Sequence, residues 1–241
     1  MSVLLALLAA GQVALAAPPP VAPGVAAFPR IARPADAAAR RINAELVVLD
    51  ARVRRAAAEC RAEGGPGRSS WERRVEPTMR GPDFLSYRVT DDSYCGGAHP
   101  NNAHLAIVYD LGTGKPVDWA TLLPARLVGA QALVTGGDGV RVVTLTSPRL
   151  TALYRAGYRT DHEAAVDEQC RAVIAGDAEN GRIALLAWLD ARRGALALQY
   201  DLPHVAQACS PPVYVPAEML RREGASARLV AALLAGRTRP R

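Results

Sequence analysis

The sequence lacks the features that mark a multispan membrane protein, a zinc protein or a redox dithiol. After its N-terminal apolar run, the 241-residue chain has no second apolar stretch of bilayer length, so we expect no membrane span in the mature chain. No two of the four cysteines lie at Cys-x-x-Cys spacing, which argues against a zinc ribbon and a redox dithiol. The Gly-x-Ser-x-Gly motif of serine hydrolases and the Gly-Lys-Ser/Thr of a P-loop are both missing.

Lysine is almost absent, although the formal net charge is +6. It occurs only at Lys115, and the other basic residues are arginines. An arginine bias together with abundant alanine is typical of a GC-rich genome, so the basic balance is poor evidence for nucleic-acid binding. We expect no nucleic-acid partner. A basic surface in an exported chain would instead attract anionic polymers of the cell envelope.

The N-terminal residues predict export. No charged side chain precedes Arg30, and an apolar run from Val3 to Ala10 leads into Ala14-Leu15-Ala16, a small-residue pattern that suits signal peptidase. We therefore predict a signal peptide over residues 1–16 and a periplasmic or secreted mature chain, attached to the membrane only if the segment stays uncleaved. The proline-rich residues 17–33 then predict an extended, mobile lead.

The cysteines predict two disulfides. They lie at Cys60, Cys95, Cys170 and Cys209, and an even count in an exported chain is typical of paired thiols. Four cysteines allow three pairings, and the spacing alone leaves all three open.

Periodicity predicts a long helix near the N-terminus. Asp36 is a suitable N-cap, and an apolar stripe follows at steps of three or four residues. The stripe consists of Ile42, Leu46, Leu49, Val53, Ala57 and Cys60. Because glycine and proline do not propagate a helix, "GGPGRSS" ends it.

The remaining segments alternate short strands with short helices. Strands are predicted at "FLSYRVT", "HLAIVYDL", "RVVTLT" and "SPPVYVP", and "IALLAWLDARRGALALQYDL" predicts a hairpin. Shorter helices are predicted to begin after Ser147 and Asp161. Since no regular strand–helix–strand rhythm occurs, we predict an α+β fold: a mixed or antiparallel sheet packed against the long N-terminal helix and shorter helices, stabilised by two disulfides.

The stretch "YCGGAHPNN" and the following "YDLGTGKPVDWATLL" resemble the DUF3298 domain, which forms the extracellular part of RsiV-type anti-sigma factors and also occurs in some polysaccharide deacetylases. The specific motif is Gly96-Gly97-Ala98-His99-Pro100-Asn101. "FPRIARPADAAARRINAEL" resembles the upstream DUF4163 segment, and "ALALQYDLPHVAQACSPPVYVPAEML" resembles the closing part of the family. The resemblance covers roughly residues 28–220. It places an α+β domain at 34–220 and leaves 221–241 as a basic tail.

The resemblance implies a binding domain outside the inner membrane, with lysozyme, another cell-envelope protein or peptidoglycan as partner. The candidate binding residues are those of the Gly-Gly loop: Tyr94, Gly96, Gly97, His99, Asn101 and Asn102. Cysteine at position 95, where relatives often have Thr or Ser, indicates a disulfide-stabilised subgroup. Our hypothesis for the pairing is Cys60–Cys95 and Cys170–Cys209, with the first bridge holding the glycine bend against the helix.

Several residues could instead indicate a metal site or a catalytic site. His99 and His104 could ligate a metal, but no nearby acid or free cysteine completes a set, so we predict a loop histidine and a satisfied histidine on a core strand. Adjacent Asp91 and Asp92 point apart on a strand, and we interpret them as a solvated pair at its end. His204 is interpreted as a turn residue.

Other motifs favour structural roles as well. Gly136-Gly137-Asp138-Gly139 could cradle a phosphate, although a hairpin turn is the preferred interpretation. Trp119 and Trp188 are interpreted as core residues and Trp71 as the exposed tryptophan. We therefore predict no catalytic residues, no metal and no cofactor. The alternative function is a cell-wall glycan-acting enzyme, or an accessory domain related to polysaccharide deacetylases, and a third is a purely structural envelope protein.

Overall fold

In the computed structural model, which describes residues 11–65, 67–136, 138–159, 164–179 and 183–237, the long helix forms where its pattern predicts it. Helix α1 spans Ala37–Gly64, and Asp36 caps it by accepting a hydrogen bond from Ala39 N at 2.7 Å. Every residue of the predicted apolar stripe is buried. Burial of this stripe, rather than helix propensity, accounts for most of the stability of such a helix.

Three antiparallel sheets and six helices make up the described part of the chain. The strands are β1 Leu15–Ala16, β2 Arg30–Ile31, β3 Ser70–Arg80, β4 Phe84–Tyr94, β5 Asn101–Asp110, β6 Lys115–Pro116, β7 Ala130–Thr135, β8 Arg141–Thr146, β9 Leu185–Asp190, β10 Ala195–Tyr200 and β11 Val213–Pro216. The helices after α1 are α2 Ala125–Val128, α3 Pro148–Gly157, α4 Ala164–Glu179, α5 Ala217–Arg222 and α6 Ala227–Arg237. The predicted α+β class is confirmed, but the strands form two larger sheets instead of one.

The first larger sheet has the order β3-β4-β5-β6 and packs one face against α1. Its strand β3 is not among the predicted strands. The register sets Arg73 opposite Asp91 and Trp71 opposite Ser93, so these side chains share the face toward α1. The other face meets β9 of the second sheet, where Leu189 N donates to Ser86 Oγ at 3.1 Å.

The second larger sheet has the order β11-β10-β9-β8-β7. The predicted hairpin at residues 183–202 forms as β9 and β10, and the predicted edge strand forms as β11. Strands β7 and β8 pair around the Gly136–Gly139 turn, in which Gly136 N donates to Val140 O at 2.8 Å. The hairpin interpretation of this glycine-rich stretch is therefore confirmed, with Gly137 outside the described residues.

The smaller helices follow their predicted starts where these are described. Ser147 caps α3 by accepting a hydrogen bond from Leu150 N at 3.2 Å, as predicted, and Pro148 lies in the first turn. The predicted cap of α4, Asp161, lies outside the described residues. Within the described ranges, no helix is both long enough and apolar enough to cross a membrane.

The proline-rich lead differs from the mobile segment that its composition predicts. Val25 and Phe28 are buried, and Arg73 N donates to Gly24 O at 3.0 Å, so the lead runs beside β3. Phe28 N donates to the buried carboxylate of Asp50 on α1 at 3.0 Å. The lead is therefore held by the core despite its prolines.

Residues close to the predicted cleavage position also pair with the domain. Leu15 and Ala16 form β1 opposite β2, and Val13 N donates to Arg80 O at 2.9 Å. Residues 1–10 lie outside the described part. The signal peptide stays a prediction, and cleavage after Ala16 would remove β1.

The segment predicted as a basic tail contributes to the core. Helix α6 buries Leu229 and Leu233, and Arg228 on its first turn forms ion pairs with Asp83 and Asp110. The Arg228 guanidinium also lies 4.7 Å from the centroid of the Phe84 ring. The C-terminal helix thus closes one end of the first sheet.

Candidate functional site

The predicted binding residues form one exposed rim between β4 and β5. We call the segment Tyr94–Asn102 the glycine loop. Residues 96–102 are exposed, whereas Tyr94 and Cys95 are half-buried. Asn101 and Asn102 already belong to β5 and pair with Ser93 and Asp92 of β4. Because the six predicted residues are close in sequence and flank a single turn, the structure brings all of them to this rim.

A disulfide anchors the glycine loop to α1. Cys60, on the buried stripe of α1, pairs with Cys95, and their Cα atoms are 4.6 Å apart. Cys170 pairs with Cys209 at a Cα separation of 4.8 Å. Both pairings of the sequence hypothesis are confirmed. The first bridge fixes the start of an otherwise exposed loop.

The two glycines of the loop have different roles. Gly96 has φ +88°, a conformation that side-chain-bearing residues rarely adopt, and a Cβ atom there would lie 2.8 Å from Gly64 Cα. Gly97 has no atom within 4 Å of such a Cβ position. Gly96 therefore permits contact between the loop and the end of α1, whereas Gly97 faces open space.

Replacing Gly96 with alanine is expected to lower the free energy of unfolding by about 1–3 kcal/mol, because the left-handed backbone and the contact with Gly64 both oppose a Cβ. Gly97→Ala is the matched control, expected to stay within about 0.5 kcal/mol of wild type. Urea denaturation of the disulfide-intact proteins measures both values. Equal stability of the two variants would show that Gly96 is not a packed position.

A cavity of about 230 Å³ with a mixed polar and apolar lining opens beside the glycine loop. We call it the loop cavity. One wall is the last part of α1, another is the paired ends of β4 and β5, and the third is the turn between β7 and β8. Its polar lining residues are Glu59, Glu63, Asp91, Ser93, Asn101 and Asp138, and the Cys60–Cys95 bridge lies between α1 and the loop.

A buried ion network forms the floor of this cavity. The side chain of Arg73 is fully buried, and its Nη1 atom lies 2.6 Å from Asp91 Oδ2 and 2.8 Å from Asp138 Oδ2. Trp71 Nε1 donates to Asp91 Oδ1 at 2.7 Å, and Val140 N donates to Asp138 Oδ1 at 2.9 Å. All four carboxylate oxygens thus accept a hydrogen bond. The network joins β3, β4 and the β7–β8 turn.

The predicted solvated aspartate pair is wrong for Asp91. Asp92 is exposed and binds the Asn102 amide, but Asp91 is buried on the opposite face of β4. Burial raises the pKa of Asp91 and outweighs the nearby Arg73 charge and the hydrogen bond from Trp71, while the Asp138 charge raises it further. One guanidinium faces two carboxyl groups, so the floor has a negative formal balance.

The rim of the cavity adds two more acids. Glu59 and Glu63 are exposed on successive turns of α1, and neither forms an ion pair within the part of the chain that is described. The loop cavity is therefore acidic in a protein whose net charge is +6. This arrangement suits a cationic group that donates hydrogen bonds.

The three histidines considered as candidates lie on different elements. His99 is exposed on the glycine loop and His204 is exposed in a 3-10 turn, as interpreted from the sequence. His104 on β5 is half-buried, but its Nδ1 atom has no hydrogen-bond partner within the described ranges, so the prediction of a satisfied side chain is wrong. Burial, reinforced by the Arg88 charge, lowers the pKa of His104 to about 4. Nowhere in the described residues do three His, Cys, Asp or Glu side chains converge as metal ligands would.

Two of the three tryptophans lie where the sequence analysis predicts them. Trp119 and Trp188 are buried core residues. Trp71, interpreted as exposed, is half-buried because its indole lies over the ion network and donates to Asp91. Arg73 and Asp138 are site residues that sequence reasoning missed. For Arg73 the local signal was a charged residue at the inward position of an alternating stretch, and Asp138 lies in the glycine-rich turn that the sequence analysis interpreted as structural.

No family model matches the chain, and no curated protein matches it. Among solved structures, the chain is similar to the crystal structure of a DUF3298-family member from Bacteroides fragilis, with 16% sequence identity, a TM-score of 0.41, and coverage of 84% of this chain and 74% of that chain. The resemblances to DUF3298 and DUF4163 stay predictions from the sequence, since a structural similarity at this TM-score assigns no family. No ligand, activity or residue role follows from this similarity.

Proposed function

We propose that this chain is an exported binding domain whose recognition surface is the glycine loop together with the loop cavity. The observation that carries the proposal is the combination of exposure and restraint in the loop. Residues 96–102 are exposed, yet the loop is tied to α1 by the Cys60–Cys95 bridge and by the close approach of Gly96 to Gly64. A surface held in one shape before binding loses less conformational entropy on association.

The charges of the loop cavity favour a basic partner. Glu59 and Glu63 line the mouth, and the Arg73–Asp91–Asp138 floor is negatively balanced. A lysine or arginine side chain of a partner protein complements this pattern, whereas an anionic polymer such as peptidoglycan is disfavoured. Of the partners implied by the family resemblance, a lysozyme with a basic surface fits best.

The two disulfides support export. Paired cysteines persist in oxidising compartments such as the periplasm and the extracellular space, and they are rare in the reducing cytosol. An apolar N-terminal run followed by small residues is consistent with this placement. A periplasmic or secreted protein would meet lysozyme directly.

The test is a calorimetric titration of the disulfide-intact protein with a lysozyme of basic isoelectric point. Wild type is expected to bind, and the double variant Glu59→Gln/Glu63→Gln is expected to bind about tenfold more weakly, because two rim charges facing a basic group are lost. Affinity of the wild type should also fall as salt rises.

The matched control removes the same charge elsewhere. Glu168 is exposed and Glu218 is half-buried, and neither lines the loop cavity. The double variant Glu168→Gln/Glu218→Gln is expected to keep wild-type affinity. Failure of the wild type to bind, or equal weakening by both double variants, would contradict lysozyme recognition at this surface.

A further inference from the structure

A second cavity lies away from the glycine loop, between α1 and the β7–β8 hairpin. We call it the helix groove. It has a volume of about 240 Å³, and its floor is formed by Ala106, Ile107 and Val108 of β5 with Ala187 of β9. Its apolar walls are Val48, Leu49, Pro116, Val117, Trp119, Leu133, Val142 and Val143. The loop cavity shares none of these residues.

The walls of the helix groove leave large apolar side chains in contact with solvent. Val48 on α1 is 51% exposed and Leu133 on β7 is 53% exposed. They belong to the few large hydrophobic side chains that are exposed in the described residues. Both line the groove, so an apolar ligand lying between them would remove their surface from water.

The charged residues of the groove are distributed asymmetrically along it. Arg52 and Arg141 lie toward the hairpin turn, where Arg52 Nη1 donates to Gly139 O at 3.3 Å. Arg141 is exposed and forms no ion pair with any described residue. Two guanidinium groups therefore border one end of an apolar trough, and neither forms an ion pair with a carboxylate among the described residues.

The one acid of the groove lies away from its cationic end. Glu45 lies seven residues before Arg52, which places it roughly 10 Å away along the helix. Burial raises its pKa against the effects of Tyr109 and Arg52, so its negative charge is disfavoured relative to an exposed glutamate. The groove thus has two arginines at one end and one half-buried glutamate among apolar side chains along the rest.

We propose that the helix groove binds a linear amphiphile with an anionic carboxylate head group, with the head at Arg52 and Arg141 and the alkyl chain along Val48, Leu133 and Val143. Charge complementarity defines the head group, and the apolar walls define the chain. This binding activity is independent of the glycine loop. The protein would then have two separate ligand sites, the glycine loop for a protein partner and the helix groove for the amphiphile.

The test is calorimetric titration of the full chain with three ten-carbon probes of equal chain length: decanoate, decanol and decylamine. Decanoate is expected to bind at one site, decanol about tenfold more weakly, and decylamine weakest because its charge opposes the arginines. Leu133→Asp is expected to abolish decanoate binding. Since Leu133 is already 53% exposed, this substitution should leave the fold intact.

Two arginine variants separate the head-group contact from general charge. Arg141→Ala is expected to weaken decanoate about tenfold and to leave decanol unchanged. Arg54→Ala is the matched control, since Arg54 is exposed on α1 and does not line the groove. The proposal is overturned if decanoate fails to bind wild type, if it binds no better than decylamine, or if its affinity survives Leu133→Asp.

Discussion

Replacing Arg73 with alanine is expected to lower the free energy of unfolding by about 3–5 kcal/mol. The substitution leaves Asp91 and Asp138 buried without the guanidinium that now lies 2.6 Å and 2.8 Å from them. It also removes the cation packed 5.3 Å from the Phe28 ring centroid. The loss reflects two uncompensated buried carboxyl groups, and it is larger than the net contribution of the ion network to the wild-type fold.

The defect of Arg73→Ala should shrink as the pH falls. Burial already raises the pKa of Asp91, and removing Arg73 raises it further because the neighbouring positive charge is gone. At pH values between the pKa of Asp91 in the unfolded chain and its higher pKa in the folded variant, the folded state binds more protons than the unfolded state. The contribution of Asp91 to the free energy of unfolding of the variant therefore increases as the pH falls from 7, and the difference from wild type narrows.

Arg74→Ala is the matched control for this prediction. Arg74 is the next residue on β3, is exposed, and among the described residues forms an ion pair with exposed Glu72 alone. Its substitution is expected to change stability by less than about 1 kcal/mol. Urea titrations of both variants at pH 7 and pH 5 measure the values. Equal effects of the two substitutions would mean that the ion network is not a structural element.

Removing either disulfide should lower the free energy of unfolding by roughly 3–4 kcal/mol, because each bridge restricts the unfolded chain. The sequence separations are similar, 35 residues for Cys60–Cys95 and 39 residues for Cys170–Cys209, so the entropic effects should be alike. The variants are Cys60→Ala/Cys95→Ala and Cys170→Ala/Cys209→Ala. Each serves as the other's control for stability.

Denaturation midpoints and slopes of the two bridge variants give this comparison. Losses that differ by more than about 2 kcal/mol would show that one bridge acts mainly through the folded state rather than through the unfolded chain. A loss below about 1 kcal/mol in both would contradict a structural role for the disulfides.

Helix α1 and the bridges could be predicted because their signals are local or compositional. Asp36 at the cap and an apolar stripe from Ile42 to Cys60 specify the helix and its buried face without knowledge of its partners. That face also placed Cys60 toward the core. The spacing of the cysteines did not select Cys95 as the partner of Cys60, so that pairing was a hypothesis.

Strand β3 could not be recognised, because its alternation is hidden by charge. Arg73 occupies an inward position between Trp71 and Val75, and Pro77 interrupts the stretch. The buried arginine is tolerated because Asp91 and Asp138 lie beside it, and the second of these is 65 residues away in sequence. Such a partner becomes visible when the tertiary structure is known. The same reason explains why Asp91 was interpreted as solvated.

The proline-rich lead and the C-terminal segment show a related limit. The proline-rich composition of residues 17–33 predicts an extended, mobile lead, but such a backbone can still bury side chains such as Val25 and Phe28. In the C-terminal segment, basic residues surround apolar ones, and helix α6 turns Leu229 and Leu233 inward. Composition and net charge did not indicate that apolar side chains of these two segments are buried.

The central claim is that the glycine loop, held in shape by the Cys60–Cys95 bridge, is the recognition surface. The most direct measurement is the affinity of the two bridge variants for a basic lysozyme, each compared with wild type after circular dichroism has shown that both remain folded. We expect Cys60→Ala/Cys95→Ala to bind at least about tenfold more weakly and Cys170→Ala/Cys209→Ala to bind like wild type. Equal affinity of all three proteins would contradict the account.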